Sequence, residues 1–551
     1  MRFFSALLTG LMLAMGAGAV MAKDSLTIGI TQFPSIMHPS IDSMMAKTYV
    51  LGMARRPFTA YDANWELVCM LCVELPTIEN GGAVLETTAK GKPGVAVTYT
   101  IAPGTRWNDG TPVTVKDVLF AWEVGKHPES GVTSGEPYRR VLSIDVKGDR
   151  TFTLHQDRVE YNYNALGDFG LIPAHLERPI FEQDPATYRQ RSLYRTAPTT
   201  PGLYIGPYQI SGFEPGSHIV LTPSPTWNGG PLPFKKVVVK AIENTAALEA
   251  NLLAGSVDMI AGEMGFLIDQ ALAFEKRHGR RFNVSYKPGL IYEHIDLNLD
   301  NPFLQDKRVR QALLLSIDRQ AISQQLFQGK QPVAQTMVSE LDWTFDPTVT
   351  EYSYNPDKAD ALFKAAGWTR GGDGTLRNAK GEKLSLVLMT TAGNRTRELV
   401  EQVLQSQWKK AGVEILIRNE PARVFFGETV SKRAFPAMAM FAWISSPETP
   451  PRTTLHSSMI PTQENAWEGQ NYTGFNHAEV DGLIDTLETE LDKEKRAKLW
   501  TRLQQIYAEE LPALPLYFRA NAHITPKWLT GITPTGHQNP STLWIEHWKT
   551  R

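Results

Sequence analysis

Only one stretch of this chain approaches membrane-spanning length without a charge, and it lies at the very start, so the remainder is expected to fold in water. Phe3 to Val20 is apolar or small, Arg2 precedes it, and Val20-Met21-Ala22 offers a cleavage site ahead of Lys23-Asp24. This is the layout of a secretory signal peptide, with cleavage expected after about Ala22. The alternative is an uncleaved anchor, which Gly10, Gly16 and Gly18 weaken. No cysteine stands near the cleavage site, so a lipid-attached form is not expected. The mature chain is expected to be free in an oxidising compartment.

Up to about residue 240, short β-rich runs dominate. Val95 to Ile101, Thr151 to Leu154 and His218 to Leu221 are bounded by Gly or Pro. Helical patterns then take over. Asp306 caps a predicted helix that carries Val309, Leu313 and Ile317 on one face and ends near Gly329. Asn355-Pro356 opens another, with Ala359, Leu362, Phe363 and Ala366 on one face and Gly367 after it. Leu399, Val400, Val403, Leu404 and Trp408 mark a third, which stops at Gly412 and runs into the alternating strand Val413 to Ile417. Val480 to Leu487 and Trp500 to Tyr507 predict two more. Helix and strand mix throughout, which predicts an α/β or α+β class rather than a pure β-sandwich. At about 150 residues per domain, 551 residues predict three or four structural units.

With 42% apolar residues the chain can bury sizeable cores. The balance of 56 basic and 58 acidic residues gives a formal charge of −2, which offers nothing for nucleic acid or an anionic membrane. There is no GxSxG elbow, HExxH pair, Walker loop or GxGxxG fingerprint. His294 beside Glu293 and Asp296 is the most suggestive of 12 scattered histidines, and a structural role is the leading reading for it. No metal or cofactor is expected. A secreted hydrolase with two cleft carboxylates stays open, because glycosidases need no short motif. Cys69 and Cys72 form the sole cysteine pair, within an apolar strand-like run. They read as a structural local disulfide or as inert thiols, since zinc would need further ligands.

The most informative stretch runs from Ile101 to Trp122: a strand, an Asn108-Asp109-Gly110 turn, and a helix entered at Thr114 with Asp117 in its first turn. Its phrase from Gly104 through Trp107-Asn108-Asp109-Gly110-Thr111-Pro112-Val113-Thr114 to Asp117-Val118 closely resembles the signature of the family 5 extracellular solute-binding proteins of ABC importers. Ala102-Pro103 before Gly104, and Val115, depart from it slightly. Further family-like phrases follow in order: Ile172-Pro173-Ala174-His175, Gly206-Pro207-Tyr208, Trp227-Asn228-Gly229, Leu252 to Asp258, Val309-Arg310-Gln311-Ala312, Ile317-Asp318-Arg319 and Leu511 to Tyr517. The resemblance covers nearly everything from about residue 25 to the end.

This resemblance implies the two-lobe periplasmic binding protein fold (α/β, type II, cluster C) and a protein that closes on a solute and docks on a membrane permease. It implies lobe I at 23–286 with an extra subdomain at about 62–200, lobe II at 287–514, and a return to lobe I at 515–551. A monomer in the periplasm, binding a peptide or peptide-like solute without catalysis, is expected. A chaperone-like use of the same fold is a further alternative. Position by position, the cleft candidates are His38 after the first strand, Glu293 and His294 near a crossing strand, Asn394, Arg397 and Arg423, and the aromatic strand end Phe441-Ala442-Trp443.

Peptide-binding relatives often place an Asp just after that aromatic strand, where it pairs with the ligand's amino group. Here Ser445-Ser446 stand in its place, with Glu448 beyond Pro447. Ser446 joins the candidates, and Glu293 is the expected substitute carboxylate. The further expectation is a ligand that needs no free amino terminus.

Overall fold

The structure is a computed structural model that describes residues 23–551 apart from Ser43, Ala466 and Glu468, with the Arg423 side chain also left out. The signal-peptide reading of residues 1–22 therefore lies outside the described residues. Ten strands form one sheet in the order Glu414–Ile417, Ser385–Met389, Met438–Ile444, Phe282–Leu297, Ala513–Pro526, Met259–Ile260, Ser25–Ile30, Lys236–Ala241, His218–Pro223 and Tyr208–Glu214. The two longest strands, Phe282–Leu297 and Ala513–Pro526, pair antiparallel at the centre. One half of the ladder joins Phe282–Pro288 to Ala520–Pro526, and the other joins Tyr292–Asp296 to Ala513–Phe518. The register shifts between Pro288 and Tyr292. Pro288 has no N–H to give a ladder, which favours a break at that point.

Two large apolar cores lie on either side of this break. One gathers side chains between Leu26 and Met264 and between Leu529 and Trp548, around Tyr49, Phe58, Trp107 and Phe152. The other gathers side chains between Ile268 and Tyr517, around Leu313, Phe363, Leu404 and Trp408. We refer to them as the first and second lobes. A separate four-stranded antiparallel sheet, Ala83–Thr87, Pro93–Thr100, Thr151–Gln156 and Val141–Lys147, belongs to the first. No helix of the described residues is long and apolar enough to cross a membrane.

The phrases singled out in the sequence meet in space. Asp109 accepts the Thr111 N–H at 2.8 Å within its own turn, and its Oδ2 lies 2.8 Å from His175 Nε2. Asn108 Oδ1 accepts the N–H groups of Gly202 and Tyr204 at 2.7 and 3.1 Å. Asp117 caps its own helix, Val115–Lys126, through the Thr114 N–H and also accepts the Ala174 N–H, both at 2.9 Å. These polar groups fasten loops that a packed core could not hold otherwise.

In the second lobe, Asn394 caps the helix Arg395–Lys410, Gly412 turns the chain at φ +84°, and Glu414–Ile417 then pairs parallel with Ser385–Met389. The helix expected from Asp306 to Gly329 is two helices instead, Lys307–Leu315 and Arg319–Phe327. Asp318 is the reason: its side chain accepts the Ala321 N–H at 2.7 Å and starts a new helix in mid-pattern. The apolar period alone runs through this break.

Cys69 and Cys72 are joined by a disulfide in the first lobe, beside the small ladder Thr59–Tyr61 with Leu67–Cys69. Closing so short a loop stabilises by about 2 kcal/mol on chain entropy alone. Replacing both cysteines by serine is expected to lower stability by about that amount while changing solute affinity less than threefold. Thermal unfolding alongside calorimetric titration measures both, and an affinity loss without a stability loss would contradict it.

Candidate ligand-binding site

Three adjoining cavities lie along the boundary of the lobes. The first, of about 330 Å³, is walled mainly by the second lobe, including Tyr292, Asp342, Trp443, Ser446 and Glu448, with Gln538 from the first. The next, of about 190 Å³, has Tyr61, Tyr161 and Asp168 on one side and Ser446 and Thr449 on the other. The last, of about 310 Å³, lies within the first lobe beside Lys47, Arg55 and Asp168. Gln538 lines all three. Each volume is near or below the lower end for small-ligand sites, and side by side they make an elongated one.

The two lobes touch across this line. The Tyr161 N–H donates to Glu488 O at 2.9 Å, and the Arg496 guanidinium lies 5.9 Å from the Tyr161 ring centre. Burial, followed by the facing carboxylates of Glu448 and Asp342, pushes the Tyr61 hydroxyl up to about 12.

Trp443 and Ser446 line the first cavity, and Ser446 also lines the second. The Trp443 ring is held by Tyr472, stacked at 5.6 Å, and by the edge of Phe441 at 5.2 Å. The other sequence candidates are placed differently. Phe441 is fully buried beneath Trp443. His294 is also buried, stacked on Tyr292 at 4.9 Å, with Nε2 3.2 Å from Asp296 Oδ1. Asn394 is a helix cap, accepting the Arg397 N–H at 3.2 Å. His38 is buried in the first lobe, its Nε2 3.2 Å from the Tyr188 hydroxyl, and burial, then Lys47 and Arg55, hold its pKa well down. These four line none of the three cavities, and neither do Glu293 and Arg397. Arg423 falls in the short helix Ala422–Val424, and its side chain is outside the described residues.

Glu293 is not free to meet a ligand. Its Oε1 accepts Arg397 Nε at 2.6 Å and its Oε2 accepts Arg519 Nε at 2.7 Å. Burial by itself would raise its pKa, but the charges of Arg519 and Arg397 and their hydrogen bonds outweigh that and hold it below the ordinary value of 4.5. The cluster ties the helix Arg395–Lys410 to both central strands.

The carboxylates that do reach the first cavity are Asp342 and Glu448, from loops 106 residues apart. Asp342 Oδ1 accepts from Thr344, and its Oδ2 accepts the Glu448 N–H at 2.8 Å. Glu448 is left-handed at φ +57° and pairs with Arg496 and with Trp343 Nε1. Two carboxylates against one arginine leave this wall acidic. Asp342 has no motif around it; a carboxylate set between Leu341 and Trp343 was the only available signal.

The Glu293→Gln variant is expected to lose about 3 kcal/mol of stability at neutral pH, because buried Arg397 and half-buried Arg519 lose their counter-charge. The sign follows from the depressed pKa: this stabilisation is complete above the ordinary carboxylate range and is lost as pH falls through the folded value. The difference between the two melting temperatures should therefore begin to shrink below about pH 4.5 and go on shrinking with further acidification. A difference that stays constant down to about pH 3 would contradict it.

The sequence profile of the Bacterial extracellular solute-binding proteins, family 5 Middle, matches residues 84–463. The Oligopeptide-binding protein AppA of Bacillus subtilis (strain 168) is 28% identical over 466 residues, covering 83% of this chain and 81% of its own. The oligopeptide binding protein from Thermus thermophilus, solved with a pentapeptide, superposes with a TM-score of 0.68 at 30% identity, covering 94% of this chain and 95% of that one. The AppA structure from Bacillus subtilis, solved with a nonapeptide, gives 0.69 at 24% identity, covering 96% and 99%. The fold is thus the two-lobe α/β architecture of these binding proteins, and the chain belongs to the family 5 bacterial extracellular solute-binding proteins.

Proposed function

We propose that this protein is the exported solute-binding component of an ABC importer, and that it captures a short peptide or peptide-like solute between its lobes. The observation that carries this is the elongated interlobe site, walled by Trp443, Ser446 and Asp342 on one side and Tyr61, Tyr161 and Gln538 on the other. The pentapeptide and nonapeptide bound by the two solved relatives support an extended ligand.

In this reading residues 1–22 direct export and are removed, and the mature protein works in the periplasm as a monomer without a lipid anchor. Lobe I comprises 23–286 and 515–551, with its extra subdomain at 62–200, and lobe II comprises 287–514. Closure about the central strands presents the loaded form to a membrane permease. Trp443 and Ser446 contact the solute. Phe441 and His294 support the Trp443 ring, while Glu293 and Arg397 brace the strands at the cleft. No step is catalysed: the acidic wall binds rather than cleaves.

Asp342 and Glu448 change the expectation about the ligand's amino terminus. The charge absent from Ser445-Ser446 is supplied by a different loop, so an ammonium group is accommodated in the first cavity. Hydrogen bonds to charged groups are worth roughly 1.5–3 kcal/mol, which is about 10- to 150-fold in affinity.

Incubation with a mixed peptide pool, followed by native mass spectrometry, tests the function: intact solute should be retained and no cleavage products should accumulate. Turnover that disappears in Asp342→Asn would replace this reading with a hydrolase. For a retained peptide, the free amino form should bind at least tenfold tighter than its N-acetyl form, and Asp342→Asn should remove most of that preference. Equal binding of both forms would restore the expectation drawn from Ser445-Ser446.

A further inference from the structure

Arg55 and Arg56 follow one another at the end of the helix Met45–Ala54, and their surroundings differ. Arg56 is paired, donating to Glu546 Oε1 at 2.6 Å. Among the described residues, the Arg55 guanidinium forms no ion pair, and its Nε and Nη2, both shut off from solvent, donate no hydrogen bond. Guanidinium stays charged at any physiological pH, and although Arg55 as a whole is half-buried, leaving its two enclosed nitrogens without a partner is costly. This unpaired cation lines the 310 Å³ cavity of the first lobe.

Most of the charge around that cavity is already engaged elsewhere, and one carboxylate, Asp168, acts on Arg55 only at a distance. Lys47, on the same helix, spends its ammonium on the carbonyls of His38 and Ile41 at 2.9 and 2.6 Å. Asp42 is taken by Arg189 and by the Ser35 hydroxyl at 2.7 Å. Asp168 stands on the cavity wall with an exposed side chain, and its charge acts on Arg55 without an ion pair between them among the described residues. Behind the guanidinium, the Tyr138 hydroxyl is bonded to Ser40 and accepts the Gly170 N–H at 3.0 Å, and the Tyr194 hydroxyl donates to Leu203 O at 2.8 Å. A Cβ on Gly170 would sit 2.7 Å from Ser40 Oγ and 3.4 Å from Arg55 Nη2, so the wall there has room for backbone only.

We propose that this cavity is an anion subsite in which Arg55 receives a carboxylate of the bound solute. A carboxylate entering the cavity offers the guanidinium the charge-assisted hydrogen bond and counter-charge it lacks. The inference rests on the peptide reading and deepens it by giving the ligand a direction. The ammonium end lies at Asp342 and Glu448, the chain passes Gln538, and a carboxylate ends at Arg55. A peptide's terminal carboxylate and an acidic side chain offer the same chemistry.

The test uses tri-, tetra- and penta-alanine as free acids and as C-terminal amides, with Ala-Ala-Glu-amide as a side-chain probe, titrated into wild-type, Arg55→Gln and Arg55→Lys protein. On wild type the free acids should bind at least tenfold tighter than the amides, and on Arg55→Gln the two should agree within about twofold. Arg55→Lys should keep part of the preference. Recovery of affinity by the glutamyl amide assigns the subsite to any carboxylate; no recovery assigns it to the terminus. Acid and amide binding wild type alike, or Arg55→Gln weakening both equally, would overturn the proposal. If no peptide binds at all, the peptide reading fails, and glutarate decides the subsite. A rise in melting temperature with glutarate that is lost in Arg55→Gln upholds it, and an equal rise in both, or none in wild type, overturns it.

Discussion

Both lobes depend on the antiparallel pairing of Phe282–Leu297 with Ala513–Pro526. These two strands are the centre of the ten-stranded sheet, and each contributes residues to both halves of it. The backbone bonds make the sheet continuous, while the register shift after Pro288 interrupts the ladder between the cores. Gly289 approaches Gly536 so closely that a Cβ would fall 2.2 Å from the Gly536 carbonyl oxygen, so only glycine fits there. On the second-lobe side of the break, the ladder is reinforced by Glu293, held between Arg397 and Arg519. Such a cluster is weak evidence for net stability but strongly resists loss of one member. It fixes how the helix Arg395–Lys410 meets the strands at the place where the lobes join.

That arrangement explains how charge is distributed around the cleft. The ionisable groups near the central strands are consumed by structure, as Glu293 and His294 are. Groups facing the cavities come from loops that the scaffold carries: Asp342 and Glu448 at one end, Arg55 at the other. Trp443 is intermediate between these classes. It lies near the end of the strand Met438–Ile444, whose first four side chains are buried, and it brings a large apolar face to the cavity edge. Aromatic side chains suit such positions because one face packs while the other meets a ligand.

The sequence alone was most legible where a signal is local. Asp306 and Asn355 each cap the helix expected of them, since a cap needs only its own next three residues, whereas Asn394, expected in the cleft, is a cap as well. Asp318 shows the limit of periodicity, because the same capping chemistry broke a helix whose apolar pattern continues past it. The Asn108-Asp109 turn was readable as a turn, whereas its role in binding His175 and Gly202 was not.

For the site, chain proximity misled. Glu293 and His294 look exposed to chemistry in the sequence because they neighbour one another and Asp296. Alternation along a central strand, covered on both faces, buries them both. What the sequence determined by itself was the α/β class, the capped helices, the turn phrases and the family resemblance, all carried by residues near one another in the chain. Only the tertiary structure decided which charges are free. Arg519 reaches Glu293 from 226 residues away and neutralises it, while Asp342 and Arg55 are left facing cavities. Pairing between distant charges is set by how strands cross, and no local pattern encodes it.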